Sequence, residues 1–257
     1  MLVLVIGDIV GQPGRKAVFE VLPRLWRERR LDMVIANAEN AAGGFGLTAA
    51  IARELIEAGV HVLTSGNHIW AQKDIIPNLD GEMPILRPLN YPEGVPGRGY
   101  LITGQTMVVN LMGRTFMNDI DCPFRAMDRL LEETKGRPPA VIVDFHAEAT
   151  SEKMAMGRYL DGRVSAVLGT HTHVGTIDAQ ILPGGTAYVT DIGMTGPTDS
   201  IIGDDADAVI RRFLTGMPHH LSVGKGKPVL NAVLVDVDGD SGRAIKIERI
   251  CRQLERP

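Results

Sequence analysis

A chain of 257 residues, 44% of them hydrophobic, is long enough to bury a large core as a single α/β domain. Its 27 basic and 31 acidic residues leave a net charge of −4, which argues against the broad electropositive surface that long nucleic acid or an anionic membrane requires. Two cysteines, Cys122 and Cys251, are too few for a disulfide framework and too far apart for a CxxC redox or zinc motif, so a reducing compartment fits.

The chain opens MLVLVIGDIVG. Its apolar run covers only residues 2 to 6, no basic segment precedes it and Asp8 follows at once, so it reads as a buried strand and not as a secretion signal. After the strand LVLVIG (2 to 7), helical apolar spacing runs from 14 to 30, with Pro13 where a helix begins. Next come the strand MVIANA (33 to 38), the glycine-rich AAGGFG (41 to 46), a helix over 48 to 58 and the strand VHVLTS (60 to 65), where His61 has a structural role. The Pro- and Gly-rich segment 84 to 99 reads as a surface loop. Strands follow at 107 to 112 (MVVNLM), 140 to 145 (AVIVDF) and 164 to 169 (VSAVLG), with helical spacing over 124 to 135 and 151 to 160 between them.

Past residue 175 the pattern changes. DAQILPGGTAYVTDIG reads as two strands about a Pro-Gly-Gly turn, a helix runs from about Asp204 to Leu214, and KPVLNAVLVDVDGDSGRAIKIERI reads as a hairpin around Asp238 to Ser241. The alternation predicts one domain over residues 1 to 257: mixed sheets, parallel first and antiparallel later, with helices outside. No apolar stretch approaches the ~20 residues that span a bilayer, so a membrane role is not expected and a cytoplasmic location is.

Chemistry gathers where the strands stop. LVLVIG ends in Asp8, MVIANA in Glu39 and Asn40, VHVLTS runs into Asn67 and His68, AVIVDF ends in His146, and VSAVLG runs into His171 and His173. Ligand sites of open α/β sheets lie at the carboxyl ends of strands, so these groups are expected to converge. Taken singly, Asp8 reads as a turn or helix cap and His146 as a satisfied, half-buried imidazole. Two histidines at i and i+2 of an extended segment point the same way, and together with the other strand ends they predict a metal site. Oxygen and imidazole donors without thiolate suit Mn, Fe, Zn, Ni or Co and disfavour Cu(I) or an iron–sulfur cluster. Seven such donors exceed what one tetrahedral zinc uses and suit two bridged ions. AAGGFG is open to two readings, a backbone that approaches phosphate or a plain loop. His219 and His220 read as surface residues, and Thr195, Thr198 and Ser200 as residues near the pocket without an assigned role.

In the order GDIVG, NAEN, SGNHIW, DFHAE and GTHTHV, residues 7 to 174 resemble the calcineurin-like metallophosphoesterase superfamily. Its usual pattern is Asp-x-His, Gly-Asp, Gly-Asn-His, a single His and Gly-His-x-His. Three departures stand out: Val10 replaces a histidine, Glu39 with Asn40 replaces the bridging aspartate, and Ile69 replaces an acidic residue after the Gly-Asn-His triplet. With NAENAAGGFG, FHAEATSEK and TDIGMTGPTDSIIG, this set resembles the YmdB branch over nearly the whole chain.

The resemblance implies a four-layer α/β/β/α sandwich and a bacterial dinuclear-metal enzyme that hydrolyses 2',3'-cyclic nucleotides. The branch is also associated with regulation of RNA metabolism and of biofilm or sporulation behaviour. Carried over by position, the first metal takes Asp8, Glu39, Asn40 and His173, and the second takes Glu39, Asn67, His146 and His171. The ions implied are divalent or mixed-valence Fe or Mn, with Zn compatible. His68 is then the general acid for the leaving oxygen, and attack by a metal-bound hydroxide with departure of O2' gives the 3'-nucleotide. A phosphomonoesterase, an RNA endonuclease and a metal-containing regulatory protein of RNA metabolism remain as alternatives. A small phosphodiester is the expected partner, and a homo-oligomer is allowed for.

Overall fold

In β1 (Leu2–Ile6), Leu4 and Ile6 face one apolar cluster while Val3 and Val5 face another. A strand buried on both faces belongs in the middle of a layered structure. The computed structural model describes residues 1–255. After β1 the chain forms α1 (Gly11–Glu28), β2 (Met33–Asn37), α2 (Ala49–Glu57), β3 (Val62–Thr64), α3 (Ile76–Leu79), β4 (Tyr100–Thr103), β5 (Thr106–Met112) and α4 (Pro123–Glu133). It continues with β6 (Ala140–His146), α5 (Thr150–Tyr159), β7 (Ala166–Thr170), β8 (Gln180–Ile181), β9 (Ala187–Val189), β10 (Gly196–Asp204), α6 (Ala206–Thr215), β11 (Val223–Val237) and β12 (Ala244–Gln253).

Two mixed sheets result. In the first, β1, β2 and β3 run parallel, and the long β11 pairs antiparallel with β1, β10 and β12. In the second, β5, β6, β7 and β9 run parallel, with β4 and β8 antiparallel at the edges. One apolar cluster lies between the first sheet and α1 and α2, where Ala17, Leu22, Ala52 and Leu55 meet Leu4 and Ile6. A second joins the sheets face to face through Val3, Ile35, Val108, Ile142 and Leu168. A third seats α4 and α5 on the second sheet through Met127, Leu130, Met156 and Val143. The layering is therefore α/β/β/α, as the resemblance implies, and the sheets are mixed with helices outside, as the sequence pattern predicts.

The differences have local causes. Segment 84 to 99 is no simple surface loop: Ile85, Leu86 and Asn90 are buried, with bridges from Ile85 to Leu63 and from Leu86 to Arg98. Residues 195 to 203 form most of β10, whose Gly, Pro and Asp content hides a strand with irregular register against β11. Asp205 caps α6 by accepting from the Ala208 amide (3.0 Å), and Gly216 ends it in left-handed backbone. Among the described residues, no helix is long and apolar enough to cross a membrane.

Candidate metal centre

The carboxyl ends of β1, β2 and β3 meet those of β6 and β7 at one end of the sandwich. Glu39 Oε1 lies 3.2 Å from His146 Nε2. Asn67 Oδ1 and His171 Nδ1 approach the same nitrogen, at 3.1 and 3.0 Å. Ligating atoms of Glu39, His146 and His171 lie close enough to hold one metal ion. On the other side of Glu39, Asn40 Nδ2 stands 3.1 Å from Glu39 Oε1 and 3.2 Å from His173 Nε2, which is 4.0 Å from Asp8 Oδ1. All eight site residues read from the sequence are thus brought together, and Asp8, Glu39, Asn40 and His146 are fully buried or nearly so.

The route by which His171 and His173 arrive differs from the expected extended segment. β7 stops at Thr170, and both histidines lie in left-handed backbone, φ 92° and 64°. Non-glycine residues rarely adopt this conformation, and the surroundings must hold it. Asp191 supplies that hold: its Oδ2 accepts from the backbone amide and hydroxyl of Thr172 (3.1 and 2.6 Å), and its Oδ1 accepts from the Gly193 amide (2.7 Å). Lys153, itself buried, donates to Asp191 (2.8 Å) and to Thr172 Oγ1 (3.2 Å).

A layer behind the cluster fixes the imidazole tautomers. Thr170 Oγ1 gives its only proton to Asp144 (2.7 Å), so it accepts from His146 Nδ1 (3.0 Å) and turns His146 Nε2 toward the cluster. His173 Nδ1 donates to the Ile202 carbonyl (2.6 Å) and leaves Nε2 free. His171 Nε2 donates to Glu148 (3.1 Å) and leaves Nδ1 free. Asp144 also accepts from Thr64 (2.5 Å) and Asn37 (3.1 Å), while Asn110 holds both backbone groups of Ser65 at 3.0 Å. Gly66 comes next, and a Cβ there would run into the His146 ring and the Glu39 carboxylate. The sequence reading omitted Asn37, Asn110, Asp144, Glu148, Lys153 and Asp191. The available signal was polar residues inside the apolar runs MVIAN, MVVNLM and AVIVDF.

The electrostatics of the cluster suit a cation. Asp8 Oδ1 is buried without a hydrogen-bond partner, and burial pushes the carboxyl up to about 6 against the pull of His173 and His146. Burial also opposes ionisation of Glu39, but His146 and His68 outweigh it and hold the group well below the usual carboxylate range. His146 would fall on burial alone, yet Glu39 and Asp8 hold it up at about 9; burial and its neighbour His146 press His171 down to about 3. An orphaned carboxylate oxygen, the Glu39 carboxylate and three imidazole nitrogens turned toward them form a donor set that fits divalent cations once His146 gives up its proton.

His68 stands at the rim. Its amide donates to Glu39 Oε2 (3.2 Å) and its Nδ1 lies 2.7 Å from Asn40 Oδ1, so Asn40 orients the ring in place of a residue at position 69, where Ile69 is core. It opens on a cleft of about 960 Å³ lined by Gly43, Gly44, Phe45, Ile202, Asp204 and Arg212 among others. His220 lines this cleft too, whereas Thr195, Thr198 and Ser200 do not: Thr195 is buried, Thr198 bonds the Lys227 carbonyl and Ser200 the Pro197 carbonyl. AAGGFG reaches the cleft on left-handed glycines at 43, 44 and 46. His61 accepts from the Val34 amide (3.0 Å), a structural role.

Two face-to-face mixed sheets with this polar cluster at their strand ends define a metallophosphoesterase-type protein. The chain belongs to the YmdB-like protein family, whose model matches residues 4–250. It is 48% identical over 254 residues to the 2',3'-cyclic-nucleotide 2'-phosphodiesterase of Bacillus subtilis, covering 97% of this chain and 96% of that one. A crystal structure of a hypothetical protein from Thermus thermophilus superposes with a TM-score of 0.93 at 49% identity, covering 98% and 99% of the two chains. A novel phosphatase from Mycoplasma pneumoniae gives 0.94 at 35% identity, over 100% of this chain and 95% of its own.

Proposed function

We propose that the protein is a dinuclear-metal phosphodiesterase that hydrolyses 2',3'-cyclic nucleotides to 3'-nucleotides. The observation that carries this reading is the division of labour within three imidazoles. His146, His171 and His173 each commit one ring nitrogen to an acceptor outside the cluster and turn the other toward Glu39 and the orphaned Asp8 Oδ1. That arrangement is the one in which metal-ligating imidazoles are oriented, and it supports a metal site. The Bacillus subtilis relative, named for this reaction, supports the substrate class.

In this reading Asp8, Glu39, Asn40 and His173 hold one ion, and Glu39, Asn67, His146 and His171 the other, with Glu39 shared. Fe or Mn suits the oxygen-rich donor set, and Zn is compatible with it. When bound, such ions supply Lewis acidity: they neutralise phosphate oxygens and make water a competent nucleophile near neutral pH.

The chain's own groups do the rest. Asn40 now turns its amide nitrogen toward the cluster; presenting its oxygen instead gives His68 Nδ1 a donor where it had an acceptor. The His68 proton then sits on Nε2, available to the leaving O2'. Arg212 lines the same cleft and adds positive charge for an anionic substrate.

The test is a hydrolysis panel of 2',3'-cyclic nucleotides, 3',5'-cyclic nucleotides, aryl phosphates and short RNA, with Mn or Fe added and with chelator. Rapid, chelator-sensitive opening of 2',3'-cyclic nucleotides to 3'-nucleotides is expected. Chelator-insensitive turnover would sink the metal reading, and a preference for monoesters or RNA would sink the substrate.

A further inference from the structure

Phe45 is an aromatic residue that none of the apolar clusters takes in. At the cleft, where Ile202 is 53% exposed, Phe45 is likewise exposed at 54%. The backbone that carries it is nevertheless fixed. Gly43, Gly44 and Gly46 take φ of 65°, 91° and 86°, and Gln72 donates to the Phe45 carbonyl (2.8 Å). Its ring lies 4.3 Å, centroid to centroid, from that of His68, and both line the cleft. A rigidly presented aromatic face beside a proton donor is a binding surface for another flat ring.

We propose that Phe45 is the nucleobase platform and that its place beside His68 selects O2' as the leaving group. The inference rests on the cyclic-nucleotide reading above and deepens it. In a 2',3'-cyclic nucleotide the base is attached to C1', whose neighbour C2' carries O2'; O3' lies one carbon further away. During hydrolysis a water oxygen bonds to phosphorus, the P–O2' bond breaks, O2' leaves with the His68 proton, and the water's own proton is released. When His68 protonates O2', the base must lie close to His68, and the aromatic face there is Phe45. If O3' took the place of O2', the base would be carried away from Phe45 and the stacking contact would be lost.

The experiment uses the metal-loaded full chain. The kcat/KM for 2',3'-cyclic AMP is divided by that for base-free ribose 2,3-cyclic phosphate, and the AMP products are resolved by chromatography. Phe45→Ala is expected to lower this ratio about 5- to 150-fold, the worth of one base–aromatic stack, and to let 2'-AMP appear beside 3'-AMP. Phe45→Trp should restore the ratio, and its fluorescence should be quenched by 3'-AMP, a readout independent of turnover. An unaltered ratio in Phe45→Ala, or a Trp at 45 blind to 3'-AMP, overturns the platform while leaving the substrate reading standing. A wild-type protein that cleaves bis(p-nitrophenyl) phosphate but no cyclic nucleotide overturns both.

Discussion

At the residue scale, His68 and the ligands make separable predictions. His68 touches Glu39 and Asn40 but faces the cleft, so His68→Ala should keep its metal, as measured by elemental analysis, and lose about 10²- to 10⁴-fold in kcat on a ribose leaving group. A p-nitrophenyl ester, whose leaving group needs no proton, should lose far less. Equal losses on both substrates would remove the acid role.

The ligands predict proton release. Without metal, burial holds Asp8 at about 6 and the Glu39 carboxylate holds His146 at about 9; both must be deprotonated to bind an ion. Metal affinity should therefore rise about tenfold per pH unit between pH 6 and 9, where one proton on His146 is displaced, and more steeply below 6, where Asp8 adds a second. Titration calorimetry at pH 7.5 in buffers of different ionisation enthalpy should report about one proton released per cluster filled. A value of zero contradicts the assignment.

The ligand-type residues were readable because each stands at the end of a strand or within three residues beyond it, where open α/β sheets gather their chemistry. Asn37, Asn110 and Asp144 were not, because each sits within an apolar run and becomes meaningful only once two sheets face each other.

At the element scale the decisive feature is the turn after β7. The residue spacing of His171 and His173 suggested one extended segment serving two neighbouring positions, and the two side chains do reach the cluster. They do so through left-handed backbone that no spacing rule reveals. Asp191, just beyond β9, and Lys153, on α5, hold that turn. Removing one partner of a buried ion pair leaves the other charge uncompensated, so Lys153→Met should cost about 3–5 kcal/mol and lower Tm by roughly 6–20 °C. Because Thr172 loses a partner too, metal content should fall with stability. Full metal content in a destabilised Lys153→Met would assign the pair to folding alone. β10 escaped detection for the complementary reason: its irregular pairing follows β11, and neither alternation nor turn chemistry marks it.

At the scale of the whole molecule, the cluster draws Asp8, Glu39, Asn40 and Asn67 from one sheet and His146, His171 and His173 from the other. Elsewhere the sheets meet through apolar side chains such as Val3, Ile35, Val108 and Ile142, a contact that slides more readily than it separates. At this end the junction is polar: an Asp8 carboxylate oxygen without a hydrogen-bond partner lies 3.7 Å from His146, and ring nitrogens of His146 and His171 meet at 3.0 Å. Ions held by the proposed ligands of both sheets would cross-link that junction, and binding only to the folded state would stabilise it by mass action. At free metal about 100-fold above its dissociation constant the gain is about 2.7 kcal/mol per site, or roughly 5–10 °C in Tm. Differential scanning calorimetry of chelated protein with added Mn should show that rise. In Gly66→Ala, whose new Cβ would collide with His146 and Glu39, the rise should be largely lost. A variant that melts lower than wild type yet still gains the full increment from Mn would show that the ions bind elsewhere, since no ion can bridge Glu39 and His146 across that methyl group.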